Sequence, residues 1–247
     1  MADYDSNRLI RGQAAEAGVV DAGLRAYMLR VYNYMLVGLG LTAGTAYLTA
    51  STPALLRLFF QVSAAGTVGL SLLGWVVLLA PFALVLLLSF RLNRMSLGTA
   101  QTVYWVYAGL MGLSLAPIFL VYTGVAIAQT FFITAATFGA MSLWGYTTKR
   151  DLTGFGSFLF MGLIGVVIAS LVNWFVHSSM MSWIISIVGV LVFTGLTAYD
   201  TQWIKNSYSA NDDGTVTGRK AIFGALKLYL DFVNLFLMLL RLFGDRR

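Results

Sequence analysis

The chain has 247 residues, of which 59% are hydrophobic and 11% charged, with a mean hydropathy of +0.80. A soluble domain is about a quarter charged, so a soluble enzyme is excluded and an integral membrane protein is the default. There is no cysteine, which removes disulfides, thiolate catalysis, Cys-bound zinc and iron–sulfur clusters. The single histidine, His177, rules out a His-rich metal site. The formal net charge of +6 would suggest nucleic acid in a soluble protein. Here most of the basic residues lie between hydrophobic runs, so they read as topology signals and no nucleic-acid partner is expected.

Residues 1–30 are polar and lack an apolar core, unlike a cleaved signal peptide. The apolar spacing over 13–30 fits a helix leading into the first span or lying along the bilayer surface. Seven hydrophobic runs follow, at 31–50, 68–90, 100–122, 125–146, 155–176, 180–203 and 221–244. Each is long enough for a helix across the bilayer, and none alternates like a barrel strand. The expected fold is therefore an all-α integral membrane protein with seven transmembrane helices over 31–247, preceded by the segment 1–30. Pro81 and Pro117 inside runs two and three predict local kinks, and Gly40 and Gly44 predict close helix packing.

The loops alternate in charge. Arg8, Arg11, Arg25, Arg30, Arg91, Arg94, Lys149, Arg150, Lys205, Arg219 and Lys220 fall on one side, and Arg57 alone on the other. The positive-inside rule then places the N-terminal segment in the cytoplasm. A full crossing of run seven puts Arg246 and Arg247 outside, against this bias; a re-entrant run is the alternative.

Ionisable residues within spans are costly and are functional candidates. Run six carries Asp200. Run seven carries Lys227, Asp231, Asn234 and Arg241, spaced to share one helical face. That stripe should face protein or water. Counting about 1.5 Å per residue from Lys205 and Lys227 puts both carboxylates roughly 6–8 Å below the cytoplasmic interface. Two carboxylates at one level, poorly solvated, would share a proton and so form a pH sensor. A cation from the end of run two, Arg91 or Arg94, could latch the pair until acid releases it. Ca²⁺ prefers oxygen ligands, so the deprotonated pair could contact it weakly and transiently. Two carboxylates fall far short of a storage site and fit a passage or gate better. The bland alternative is helix capping or locking by the two acids. Lys227 is read as snorkelling to the interface, Arg241 as an outer anchor, Asn234 as a helix–helix hydrogen bond and His177 as exposed. No nucleophile–base pair is visible, so no enzyme is expected, and no tightly bound cofactor. The polar loop 204–220, with Asn211-Asp212-Asp213-Gly214, reads as a flexible turn.

Several stretches resemble the signature of the transmembrane Bax inhibitor motif family. These are Gly112-Leu113-Ser114-Leu115-Ala116-Pro117-Ile118, Ala135-Ala136-Thr137-Phe138-Gly139-Ala140-Met141-Ser142 and Gly145-Tyr146-Thr147-Thr148-Lys149-Arg150-Asp151-Leu152. Ala198-Tyr199-Asp200-Thr201-Gln202 and Leu228-Tyr229-Leu230-Asp231-Phe232-Val233-Asn234-Leu235-Phe236 are also typical, and 23–33 looks like the bacterial inner-membrane branch. The resemblance covers almost the whole chain. It implies seven helices with the last one central, and a pH-sensitive calcium leak in which Asp200 and Asp231 sense pH. It further implies an arginine latch on helix two, matched best by Arg94 and next by Arg91. A bacterial branch is associated instead with restraining a membrane-bound AAA protease of the FtsH type, and eukaryotic relatives with suppressing cell death. Only Asp245-Arg246-Arg247 follow the last span, so a role carried by a long charged tail is not expected.

Overall fold

A computed structural model describes residues 2–62 and 68–245, with side chains described over 22–61, 69–92 and 94–245. The side chains of Arg8 and Arg11, and Arg246 and Arg247 entirely, lie outside the described residues. Helix α1 runs unbroken from Ala2–Ser51, so the lead-in and the first apolar run are a single element. After α2 (Pro53–Phe59), strands β1 (Phe60–Val62) and β2 (Val68–Leu70) pair antiparallel, with Phe60 opposite Leu70 and Val62 opposite Val68. Helices α3 (Leu72–Arg91), α4 (Leu97–Leu115), α5 (Ile118–Val121), α6 (Gly124–Thr147), α7 (Thr153–Val176), α8 (Ser179–Asn206) and α9 (Gly214–Phe243) complete the chain.

Two departures from the expected runs have physical causes. Run two starts later than expected because 68–70 pairs as a strand, so α3 begins only at Leu72. Six helices, α3, α4 continued through α5, and α6 to α9, are long and apolar enough by themselves to cross a bilayer. The expected seventh, 31–50 within α1, is not among them: Tyr32, Asn33, Tyr34, Thr42 and Thr45 dilute its hydropathy.

Caps explain where the helices start. Ser71, Ser96, Thr123 and Ser178 each accept from the backbone N–H three residues on, at 3.0, 3.1, 3.2 and 3.2 Å. An unsatisfied N–H near lipid costs several kcal/mol, on the order of a full hydrogen bond. Pro117 breaks the third run: α4 stops at Leu115 and α5 starts beyond the proline. Pro81 stays inside α3 and is buried.

Helix α9 packs against α8, α1, α6 and α4 and is the most enclosed of the six. One core cluster joins α1, α3, α4 and α9 around Tyr104, Tyr107 and Tyr229 and takes in Phe138 of α6 and Ile204 of α8. A second joins α7, α8 and α9 around Phe193, Leu196 and Leu235. Between them, polar side chains tie the helices. Thr42 of α1 donates to carbonyls of Gly38 and Ala108 (3.0 and 2.8 Å), so its 2.6 Å contact with Tyr229 of α9 is donated by the phenol. The expected Gly40/Gly44 packing is corrected: a Cβ on either would meet nothing within 4 Å. The close approaches use other glycines. A Cβ on Gly112 would lie 3.0 Å from the Thr42 Cα, joining α4 to α1.

Candidate functional site

Helices α8 and α9 form an antiparallel hairpin through the turn 207–213. The turn, read from the sequence as flexible, is held at several points. Asp213 accepts from Val216 N–H at 2.7 Å and caps α9. Lys220 donates to the Asp212 carboxylate at 2.5 Å and to the Ser207 carbonyl at 2.9 Å. Gly224 lies opposite Ile204. This register brings Asp200 of α8 between Lys227 and Asp231, which sit one turn apart on α9.

Lys227 Nζ donates to Asp200 Oδ1 at 2.7 Å. Asp231, one turn beyond Lys227 on α9, lines the same cavity as Asp200. Both acids are buried, 7% and 4% exposed. Asp231 Oδ2 has no hydrogen-bond partner among the described residues. The three side chains line a cavity of about 490 Å³ between α7, α8 and α9, shared with Asn234, Tyr199 and Ser157. Gly156 of α7 lets the Tyr199 ring in: a Cβ there would lie 2.6 Å from Tyr199 Cζ.

The structure therefore brings together four of the residues singled out from sequence, Asp200, Asp231, Lys227 and Asn234. It does not bring Arg91 or Arg94 to them. Both are exposed at and just beyond the end of α3, and the cation on Asp200 is Lys227. Lys227 accordingly does not snorkel away from the site; its side chain is 28% exposed but turned to Asp200. Asn234 bonds within its own helix, Nδ2 donating to the Leu230 carbonyl at 2.8 Å, and not across to a neighbour. Arg241 is exposed near the far end of α9. His177 is exposed in a left-handed conformation (φ 55°) after α7, with Nδ1 3.0 Å from the Phe175 carbonyl.

Sequence reading missed the aromatic cradle of the lysine. Lys227 Nζ lies 4.7 Å from the centre of the Trp203 ring and 6.0 Å from that of Tyr199. Tyr199 and Trp203 flank Asp200 four residues apart, so they share a face of α8, a signal that spacing alone contains. It also missed a directed hydroxyl chain. Thr201 donates to the Thr197 carbonyl (2.7 Å), so Ser142 must donate to Thr201 (2.9 Å) and Tyr32 to Ser142 (2.6 Å). The chain links α1, α6 and α8. Among the described residues no cluster of three or more His, Cys, Asp or Glu is placed to hold a metal ion.

Six apolar helices of spanning length, three of which enclose a buried acid pair and its lysine, define a multi-pass, predominantly helical membrane protein. The sequence profile described as "Inhibitor of apoptosis-promoting Bax1" matches residues 24–247, and the chain belongs to this Bax inhibitor family. It is 50% identical over 92% of its length to the inner membrane protein YbhL of Escherichia coli strain K12, covering 94% of that protein. It is 49% identical to an uncharacterized protein of Rickettsia prowazekii, with 92% of each chain covered. An uncharacterized protein of Borreliella burgdorferi is 45% identical, over 90% of this chain and 92% of the relative.

Proposed function

We propose that the chain is a pH-sensitive leak for Ca²⁺ across a bacterial inner membrane, with Asp200 and Asp231 as proton sensor and cation contact. The observation that carries this reading is that the two buried carboxyls line one cavity together with Lys227. Two neighbouring carboxyls out of water hold a proton between them. Gaining or losing it changes both the pull on a hard cation and the partner of Lys227. Transport is passive in this reading.

In the proposed topology 31–50 of α1 is a seventh crossing, and the other helices surround α9. The enclosure of α9 supports the second point. The bias of basic residues between the apolar runs supports a cytoplasmic N-terminus, and the name of the Escherichia coli relative supports the inner membrane.

The test is Ca²⁺ flux into proteoliposomes across mildly acidic to mildly basic pH, with Asp200→Asn and Asp231→Asn beside the parent. A pH-dependent leak whose profile changes in both variants is expected. Unchanged profiles in both would overturn the assignment of the sensor.

A second reading rests on α1, whose 50 residues exceed the roughly 20 that a crossing needs. The surplus is a cytoplasmic arm through which the protein could restrain a membrane AAA protease. Deleting 1–24 should abolish co-purification with such a protease; retained binding and inhibition would remove this reading.

A further inference from the structure

The position that a transported cation would have to take on Asp200 is occupied by a cation of the chain itself. Lys227 Nζ is 2.7 Å from Asp200 Oδ1, on the same cavity that Asp231 lines with an unpartnered oxygen. The ionisable groups around this cavity are Asp200 and Tyr199 from α8 and Lys227 and Asp231 from α9, while α7 contributes Gly156, Ser157, Phe160 and Leu163, none titratable. Among the described residues no second fixed cation lines the cavity, so in this reading the charge of the acid pair is balanced by the lysine and by protons.

The lysine also has somewhere else to go. Its ammonium already lies 4.7 Å over the Trp203 ring, inside the range of a cation–π contact. Trp203 is 37% exposed and is steadied by an edge contact with Phe223, with ring centres 5.9 Å apart. With the Lys227 side chain 28% exposed, a short rotation about its flexible stem leads from the carboxylate to the ring and to water.

We propose that Lys227 is a tethered competitor for the cation site: Ca²⁺ reaches Asp200 and Asp231 only by displacing the ammonium, which then rests on Trp203. The inference deepens the leak reading and rests on it. In the resting state Lys227 pairs with Asp200, and the proton held between the two carboxyls keeps the cluster near neutrality. When Ca²⁺ enters, the ammonium moves to Trp203, the shared proton leaves to water in the cavity, and two carboxylates face one divalent ion. Apart from this proton transfer, in which a carboxyl O–H bond breaks and an O–H bond to water forms, no covalent bond changes. A monovalent cation brings half the charge to the same two oxygens and is the weaker displacer. Lys227 thus sets the preference for divalent ions as well as the threshold concentration.

The experiment is Ca²⁺ flux into proteoliposomes of the full chain, for the parent, Lys227→Ala, Lys227→Arg and Trp203→Leu, with and without methylammonium. Removing the competitor in Lys227→Ala should lower the half-saturating Ca²⁺ concentration roughly tenfold, the effect of losing one modest ion-pair contact. Methylammonium, a free copy of the lysine head, should inhibit Lys227→Ala and leave the parent unaffected. Arginine holds a carboxylate by two parallel N–H bonds, so Lys227→Arg should raise the half-saturating concentration, as should Trp203→Leu by removing the resting place. No flux above protein-free vesicles for the parent overturns the leak reading and this inference together. Parent flux with Lys227→Ala unchanged and insensitive to methylammonium overturns the inference alone. If Lys227→Ala does not fold, Lys227→Arg and Trp203→Leu decide: flux at or above the parent's in both rejects the competitor.

Discussion

Gly145 of α6 meets the backbone of Ala198 on α8 so closely that a Cβ on Gly145 would lie 2.8 Å from the Ala198 Cα. Backbone cannot swing aside as a side chain can, so α6 and α8 would have to part. Asp200 is two residues further along α8. Gly145→Ala is therefore expected to cost about 1–3 kcal/mol, the usual range for overpacking, and to change the pH profile of any flux. Gly40→Ala and Gly44→Ala, where nothing lies within 4 Å, should be neutral or raise stability by up to about 1 kcal/mol through helix propensity. Thermal midpoints of the purified variants in one detergent separate the two cases.

The hydroxyl of Tyr27 is buried without a hydrogen-bond partner among the described residues, in α1 ahead of its apolar run 31–50. Burial foremost, and the nearby Asp212 charge, push its phenol up to about 12. Because the folded value is raised, the stabilising contribution is complete below about 10, the unfolded value, and is lost as pH climbs towards 12. Absorbance titration should count one late-ionising tyrosine fewer in Tyr27→Phe than in the parent. An unpartnered buried hydroxyl is a cost, so Tyr27→Phe should match or exceed the parent in stability; a marked loss would reveal a partner for the hydroxyl.

The cap at Asp213 governs the first turn of α9. Asp213→Ala should cost about 1 kcal/mol. It should also speed amide exchange at 214–217 without altering exchange around Asp231. Exchange that quickens along the whole of α9 would mean that the cap controls the register of the hairpin and not only its end.

Asp151 sits in the loop before α7, where Thr153 donates to its Oδ1 through both hydroxyl (2.6 Å) and backbone N–H (2.9 Å). The side-chain bond first, and then the backbone bond, hold its carboxyl below the usual carboxylate value. A depressed value means that the stabilisation is present above about pH 4 and is lost as pH falls through the folded value. Fraying of 153–156 under acid should follow this order, and Asp151→Asn should remove most of the dependence. Hydrogen exchange between pH 3 and pH 6, corrected for intrinsic rates, reads it out.

The acids were legible in the sequence because charge inside an apolar run is rare and two consecutive spans must run antiparallel. Depth counting then placed Asp200 and Asp231 near one another. Their cation was not legible. Lys227 lies one turn from Asp231 on α9, and that spacing is equally satisfied by a side chain reaching for water and by one turned across to α8. Arg91 and Arg94 end an apolar run, but nothing in a sequence fixes how the end of α3 sits against α8. Glycine spacing misled for a similar reason. Gly40 and Gly44 share a face of α1, yet closeness needs a neighbour on that face, and the neighbours lie instead at Gly112, Gly145 and Gly156. The hairpin at 60–70 was hidden because Phe60-Gln61-Val62 is short and continuous with flanking apolar residues.

Helix α1 is a single rod. Fifty residues at 1.5 Å each make it about 75 Å long. Along that rod Tyr27 stacks on Tyr208 in the α8–α9 turn, Tyr32 bonds Ser142, and Thr42 bonds Tyr229. A stiff beam fastened at three heights cannot shift at one without loading the others. A push or twist on its N-terminal end would reach the turn, α6 and the middle of α9 in one stroke, as torque on a crankshaft reaches every journal.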